Sequence, residues 1–247
     1  MMVPTLPTQK WRQVAFTSDG LLDPEKPVFV SLLGKKGQGK SKLARVIFDT
    51  YPYDRAIIDI NGTDKPIELD DPESGYEQIT IVPDSWPEDL RQEGKPLTLY
   101  FQPDPGKDDF LEEQDKFIGL CFRHGKMLVL IHEMGILAPS NRTPKNVKRM
   151  LHQGRHRKLS ALMCSPRPIT MDSLVLTQSD LVYVFKLPNP KDRRYVADVI
   201  GWEPEDFDLA VRELGDHEYL RYDDSEPEES DMKLISLPPL PEEEIAS

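Results

Sequence analysis

Eight consecutive residues combine glycines, a lysine and a hydroxyl at spacings that suit phosphate chemistry: Gly34, Lys35, Lys36, Gly37, Gln38, Gly39, Lys40 and Ser41. The pattern is GxxxxGK[ST], in which glycines let the backbone curve around a phosphate chain and direct N–H groups toward it. Lys40 would contact the β and γ phosphates, and the Ser41 hydroxyl would ligate Mg²⁺. An apolar run precedes the segment and a helical pattern follows it, which is the context a phosphate-binding loop (P-loop) requires. We therefore predict that these residues, with Lys42, bind Mg-ATP.

A second acidic element is expected where a neighbouring strand ends. The apolar segment 127–131 runs directly into His132 and Glu133. A carboxylate in this position can accept a proton from the water that attacks the γ phosphate, so Glu133 is the candidate base and, with Ser41, a candidate metal ligand. The alternative is a surface glutamate that follows a buried strand. His132 stands where an aspartate is usual, and Mg²⁺ prefers oxygen ligands to imidazole.

The segment 142–158, from Arg142 to Lys158, holds seven lysines and arginines, two histidines and no carboxylate. Three interpretations are open: a solvated helix face, a surface for nucleic-acid phosphates, and an arginine that reaches a neighbouring subunit's γ phosphate. No aromatic residue interrupts the segment, so contact with the DNA backbone is favoured over base stacking. Arg155 and Arg157 precede a predicted strand, and we expect them near the nucleotide edge of the sheet.

Short apolar runs alternate with helical patterns over residues 27–200. Several runs are continuously apolar, which is typical of parallel strands covered on both faces. This alternation predicts an α/β fold with a mostly parallel central sheet and helices on both faces. The predicted strands are 28–33, 56–60, 78–82, 97–101, 127–132, 159–165 and 181–187. The predicted helices are 40–49, 108–122, 144–153 and 193–199, and residues 203–222 are predicted to add a helix and an edge element.

Composition divides the chain into an irregular N-terminal arm (1–26), a domain (27–222) and an acidic tail (223–247). The formal net charge is -12, and nine acidic residues against one lysine give the tail -8, which leaves -4 on the rest. A charge of -4 argues against indiscriminate DNA binding and confines contact to the basic segment. The tail is rich in proline and has no aromatic residue, so we predict that it is disordered, with 232–237 the one part that could dock.

Two further features bear on the compartment. Cys121 and Cys164 both lie in apolar stretches, which indicates buried free thiols in a reducing environment. No uninterrupted apolar run exceeds five residues, so we expect neither a membrane span nor a signal peptide. The expected location is the cytoplasm of a bacterial or virus-infected host cell.

The order of these motifs resembles the HerA/FtsK superfamily of DNA-pumping ATPases, which includes viral genome-packaging, conjugative and filamentous-phage assembly ATPases. In that family an arginine, an apolar strand and Thr/Ser-Gln-Arg-Pro follow the acidic strand. Arg155, Ser165, Arg167 and Pro168 take these places here, and Asp59 resembles the acidic residue that ends the second strand. Over residues 27–200 the resemblance implies a RecA-like P-loop NTPase fold, Mg-ATP as cofactor, DNA as partner, a ring that is usually hexameric, and Arg155 acting in trans.

One further departure from the family pattern concerns Pro166, which stands where the family has a glutamine that senses the γ phosphate. Proline offers neither a side-chain amide nor a backbone N–H in its place. Together with His132, this substitution leaves two main hypotheses: a DNA-translocating or genome-packaging ATPase, and a nucleotide-gated scaffold or DNA-binding module with little or no hydrolysis. A third, phosphoryl transfer to a small molecule, is weaker because no arginine-rich lid is evident.

Overall fold

The computed structural model describes residues 8–10, 25–62, 65–226 and 232–236. The strands are β1 Thr8–Lys10, β2 Phe29–Leu33, β3 Arg55–Ile58, β4 Tyr76–Ile79, β5 Thr98–Phe101, β6 Met127–Ile131, β7 Leu159–Ser165, β8 Leu181–Val184, β9 Glu218–Asp223 and β10 Met232–Ser236. The α-helices are α1 Lys40–Asp49, α2 Phe110–His124, α3 Met134–Leu137, α4 Lys145–Gln153, α5 Ser173–Thr177, α6 Pro190–Ile200 and α7 Pro204–Glu213.

Within the described residues the strands form one ten-stranded sheet in the order β1-β10-β9-β8-β2-β7-β6-β3-β5-β4. Every pairing is parallel except the two made by β9, so β9 alone runs against the others. Because all the parallel strands end at the same edge, the residues that follow β2, β7, β6 and β3 lie in a row. β7 separates the strand that leads into the glycine-rich loop from the strand that leads into Glu133.

Helices cover both faces of this sheet, as predicted. Residues of the central strands alternate between two apolar cores: Phe29 and Leu33 pack on one face, and Val30 and Leu32 on the other. α1 packs into the second core, whereas α2, α4, α6 and α7 pack into the first. Strands buried on both faces explain why β2, β6 and β7 have so few polar residues.

Most predicted elements are present, with shifted ends. α1 and β7 have the predicted bounds. β8 ends at Val184, three residues early, because the carbonyl of Lys186 accepts a hydrogen bond from the glycine-rich loop instead of continuing the ladder. α6 begins at Pro190, three residues early, because the Asn189 side chain accepts from the N–H of Lys191 and caps the helix. The weak strand at 78–82 lies at 76–79.

Both chain ends contribute to the sheet, which the sequence did not predict. The prediction of disorder is wrong for Met232–Ser236, which pairs antiparallel with β9 and buries Met232 and Ile235. The arm predicted to be irregular supplies β1, which pairs with β10. Met232 packs into the core on one face of the sheet and Ile235 into the core on the other, so this short strand is anchored on both faces although acidic residues surround it in the sequence. Residues 1–7 and 11–24 of the arm and residues 227–231 and 237–247 of the tail lie outside the described residues.

In the described ranges no helix is long and apolar enough to cross a membrane. Cys121 and Cys164 are both buried, and neither forms a disulfide within the described residues, in agreement with the prediction. Burial raises the pKa of the Cys121 thiol far above its usual range, so this thiol stays protonated.

Candidate nucleotide site

The glycine-rich loop is fixed at both sides by backbone hydrogen bonds to neighbouring strands. The N–H of Gly34 donates to the carbonyl of Ser165 at 3.1 Å, and the N–H of Lys35 donates to the carbonyl of Lys186 at 3.1 Å. A Cβ on Gly34 would lie 2.5 Å from the Cβ of Phe185, so a residue without a side chain is required there. Gly37 and Gly39 have φ of 85° and 91°, which glycine adopts at no steric cost.

The loop opens directly into α1, which begins at Lys40. Gly39 caps the helix without a side-chain hydrogen bond, and the first turn holds no acidic residue. The first-turn N–H groups and the positive end of the helix dipole therefore face the loop, an arrangement that favours an anion. α1 is held in place by its buried face, which consists of Leu43, Ala44, Ile47 and Phe48.

Exposure varies along the predicted ATP-binding segment. Gly34 is buried; Gln38, Gly39, Lys40 and Ser41 are half-buried; Lys35, Lys36, Gly37 and Lys42 are exposed. Among the described residues, no carboxylate pairs with Lys40. The ammonium group is therefore available to an anionic ligand.

Glu133 lies at the same edge, one strand beyond β7. The register pairs Leu33 with Ser165 and Met163 with Ile131, which brings the position of Glu133 level with Ser165. Glu133 caps α3 with φ 62° and ψ 51°, a left-handed conformation that is uncommon outside glycine. Asn61 donates from Nδ2 to Glu133 Oε1 at 3.3 Å. The carboxylate is thus positioned by its backbone and by a residue that follows β3.

Asp59 adds a second carboxylate to this edge. It follows β3, next to β6, and is fully buried. The Tyr100 hydroxyl donates to Asp59 Oδ2 at 3.2 Å. Ser41, Glu133 and Asp59 together offer hydroxyl and carboxylate oxygens, the donor set that suits Mg²⁺. His132 is buried between these elements at the end of β6, where it brings no negative charge.

Arg167 also belongs to the nucleotide edge, two residues after β7. Its guanidinium Nε lies 3.3 Å from Oδ2 of Asp192, a carboxylate of α6 that is 2 % exposed. Lys35, Lys36, Arg167 and Asp192 line a shared cleft of about 290 Å³. Asp192 could not be identified from the sequence, because no motif connects it to Arg167, which lies 25 positions earlier.

Arg155 lies at the opposite edge, so the expectation that it sits near the nucleotide edge is wrong. It precedes β7, and residues that precede a parallel strand lie at the amino edge of the sheet. Its guanidinium is 4.5 Å from the ring centroid of Phe29, the first residue of β2, and Nη2 lies 2.9 Å from both carboxylate oxygens of Asp180. The length of β2 places Arg155 roughly 16 Å from its own P-loop. Arg157 is at the same amino edge and donates to the carbonyls of Phe122 and Arg123.

The basic segment is largely exposed along α4 and the turn after it. The exposed basic residues are Arg142, Lys145, Lys148, Arg149, His152, His156, Arg157 and Lys158. Lys158 forms an ion pair with Glu25, and Arg149 stacks on the Phe122 ring at 4.3 Å. Arg123, Arg149, His156 and Arg157 line a groove of about 530 Å³. This surface can contact several phosphates.

The site and the sheet together define a P-loop nucleoside-triphosphatase fold of the α/β class. No protein-family model and no curated protein matches the chain. Solved structures do match. The genome-packaging NTPase B204 of Sulfolobus turreted icosahedral virus 2, bound to AMPPCP, is 20% identical over 88% of this chain and 100% of that chain, with a TM-score of 0.64. B204 of Sulfolobus turreted icosahedral virus, described as a DNA-packaging ATPase, is 19% identical over 87% and 100%, with the same TM-score.

A conjugation protein shares the fold at greater distance. The coupling protein TcpA of pCW3, solved with ATPγS, is 11% identical over 86% of this chain and 60% of that chain, with a TM-score of 0.54. These neighbours, all 20% identical or less, confirm the predicted α/β fold. At the level of the fold they agree with the resemblance drawn from the sequence.

Proposed function

We propose that this chain binds Mg-ATP and hydrolyses it to move DNA, as a genome-packaging or translocating motor of the HerA/FtsK type. The observation that carries the proposal is the single edge at which Lys40, Ser41, Glu133 and Asp59 follow parallel strands. The structural neighbours support it, because two are described as packaging enzymes and one as a conjugation coupling protein. A motor of this kind works where DNA and ATP are present, so the cytoplasm is the proposed location.

Each residue at this edge has a proposed role. The N–H groups of residues 34–41 surround the phosphates, Lys40 neutralises charge on the β and γ phosphates, and Ser41, Glu133 and Asp59 would hold Mg²⁺. The metal, when bound, offsets the charge that develops on the phosphate oxygens. Glu133 accepts the proton of the attacking water as the γ phosphorus is approached. Tyr100 and Asn61 keep the two carboxylates oriented through their hydrogen bonds.

The proposed assembly is a ring of six subunits, the usual number in the family, in which Arg155 acts on a neighbour's ATP. The distance across β2 supports the trans form of this role, since Arg155 cannot reach its own P-loop. DNA is the proposed partner, bound through its phosphate backbone by the exposed side chains of the segment 142–158. The acidic remainder of the domain favours contact that is local and sensitive to salt.

A second function is favoured by His132 and Pro166. A buried imidazole and a proline occupy two positions where hydrolysis would use an oxygen ligand and an amide. The second candidate is a nucleotide-gated scaffold or DNA-binding module that retains ATP but hardly turns it over. The exchanges His132→Asp and Pro166→Gln separate the two functions, because a gain of hydrolysis from near zero supports the scaffold.

Turnover of ATP and particle mass, measured together with and without duplex DNA, test the motor. We expect magnesium-dependent turnover that rises with DNA and falls by about 100-fold or more in Lys40→Ala, because the lysine contacts the transferred phosphate.

A joint change of Lys145, Lys148 and Arg149 to alanine should remove most of the DNA stimulation and flatten its salt dependence. Arg194→Ala is the matched control, since Arg194 is an exposed cation outside both surfaces. Turnover no higher than that of Lys40→Ala at any concentration would refute the motor.

A further inference from the structure

Arg167 is held at the nucleotide edge by backbone hydrogen bonds and by an ion pair with Asp192. The backbone positions it first: its N–H donates to Ser165 Oγ at 3.3 Å, and its carbonyl accepts from the N–H and the hydroxyl of Thr170. Ser165 is the residue whose carbonyl also anchors Gly34. The residue is therefore tied, through one intermediate, to the first glycine of the P-loop.

A buried carboxylate orients the side chain. Asp192 is 2 % exposed, and besides its ion pair with Arg167 it accepts from the N–H of Ile169 at 3.2 Å. Burying a carboxylate costs free energy unless it is paired, so Asp192 is stabilised by Arg167 and in turn fixes the position of the guanidinium. The closest contact of the pair is made by Nε of the guanidinium. Arg167 itself is 57 % exposed, which leaves the terminal nitrogens free to bind a ligand.

The charge around Arg167 favours an anion. Its cleft brings together three cations, those of Lys35, Lys36 and Arg167, and one carboxylate, that of Asp192. Two of the cations belong to the P-loop itself. Guanidinium groups bind phosphate oxygens through two parallel N–H donors, which a lysine cannot reproduce.

Pro166, the residue before Arg167, cannot bind a phosphate itself, so a donor for the γ phosphate must come from another side chain. Pro166 lies at the end of β7 and has no donor to offer a phosphate. We propose that Arg167, positioned by Asp192, contacts the γ phosphate of the ATP bound to its own chain and so distinguishes a nucleoside triphosphate from a diphosphate. This inference rests on the proposed function, because it takes ATP as the ligand of the P-loop.

Calorimetric titration of the full chain with Mg-AMPPCP and with Mg-ADP tests the inference. In Arg167→Ala we expect the affinity for AMPPCP to fall about 10- to 100-fold, while the affinity for ADP stays within about twofold. Arg167→Lys should recover part of the loss, and Asp192→Asn should lower the AMPPCP to ADP affinity ratio even where its melting temperature is unchanged. Arg194→Ala, on the same helix as Asp192, is the matched control and should leave both affinities as they are.

The possible failures are distinguishable. If Arg167→Ala weakens both nucleotides equally, or neither, the inference is overturned while nucleotide binding stands. If the unmodified chain binds neither nucleotide, or binds them as well with Lys40→Ala, the proposed function itself is overturned. A normal melting temperature of Arg167→Ala establishes that a lost affinity is not a loss of fold.

Discussion

At the scale of single residues, charged groups in this protein are fixed by partners that are distant in sequence. Asp54 is an example outside the nucleotide site. It precedes β3 and accepts from His124 Nε2 at 2.8 Å, from Arg91 Nη1 at 2.6 Å and from the N–H of Leu97 at 3.0 Å. Trp86 stacks on the His124 ring at 4.4 Å. Burial by itself would raise the pKa of Asp54, but the hydrogen bonds from His124 and Arg91 outweigh it and hold the pKa well below its ordinary value of 3.8.

This shift makes the contribution of Asp54 to stability dependent on pH. Because the pKa is lower in the folded chain, the stabilisation is complete above about pH 4 and is lost as the pH falls from there. Asp54→Asn should therefore reduce the free energy of unfolding by about 3 kcal/mol at pH 7, and the difference from the unmodified chain should shrink toward pH 2. Urea unfolding between pH 2 and pH 7 measures it. Glu88→Gln, a change at an exposed partner of Arg91, should cost under about 1 kcal/mol. A difference that is constant with pH would contradict the assignment.

At the scale of elements, the last described strand is short but well packed. Ile235 is fully buried in the core that contains α1, whereas Leu234 is only half-buried on the other face. Ile235→Ala should lower the free energy of unfolding by about 2–4 kcal/mol, because it leaves a cavity in the core that β10 shares with α1. Leu234→Ala, one residue away, should cost clearly less. Chemical denaturation of both variants tests this, and equal effects would show that β10 does not pack as described.

Elements could be predicted from the sequence where local patterns and tertiary contacts agree. β7 and α1 were predicted to the residue because an apolar run and a motif mark their ends. β10 was missed because its three apolar residues lie within an acidic stretch and follow no regular alternation, and their burial depends on pairing with β9. Likewise, Lys40, Ser41 and Glu133 follow motifs, whereas the Arg167–Asp192 pair depends on the packing of α6 against the end of β7. The predicted position of Arg155 was wrong. Residues that precede a parallel strand lie at one edge of the sheet, and residues that follow the strand lie at the opposite edge.

At the scale of the whole molecule, the two edges of the sheet carry different chemistry. The carboxyl edge holds the P-loop, and the amino edge holds Arg155 and the basic groove. A single copy therefore cannot place Arg155 beside its own nucleotide. If Arg155 acts on a neighbour, Arg155→Ala and Lys40→Ala should each be nearly inactive alone.

A mixture of the two variants is the sharper measurement. Mixed assemblies would contain interfaces that join an intact Arg155 from one copy to an intact P-loop on another, so ATP turnover should reappear on mixing. A mixture as inactive as its components would exclude action in trans. In that case the contacts of Arg155 with Asp180 and Phe29 would be its whole role, and Arg155→Ala would be expected to lower the melting temperature.

The pairing of β1 with β10 also has a consequence for how the protein is made. Among the described strands β1 is the outermost on its side of the sheet, and the strand with which it pairs begins at residue 232. During synthesis, at about 5–20 residues per second, residues 8–10 must wait on the order of ten seconds or longer before that neighbour leaves the ribosome. Throughout that interval residues 8–10 have been synthesised but lack the strand with which they pair. The pairing of β1 with β10 can therefore form only after the residues of the central sheet have been translated.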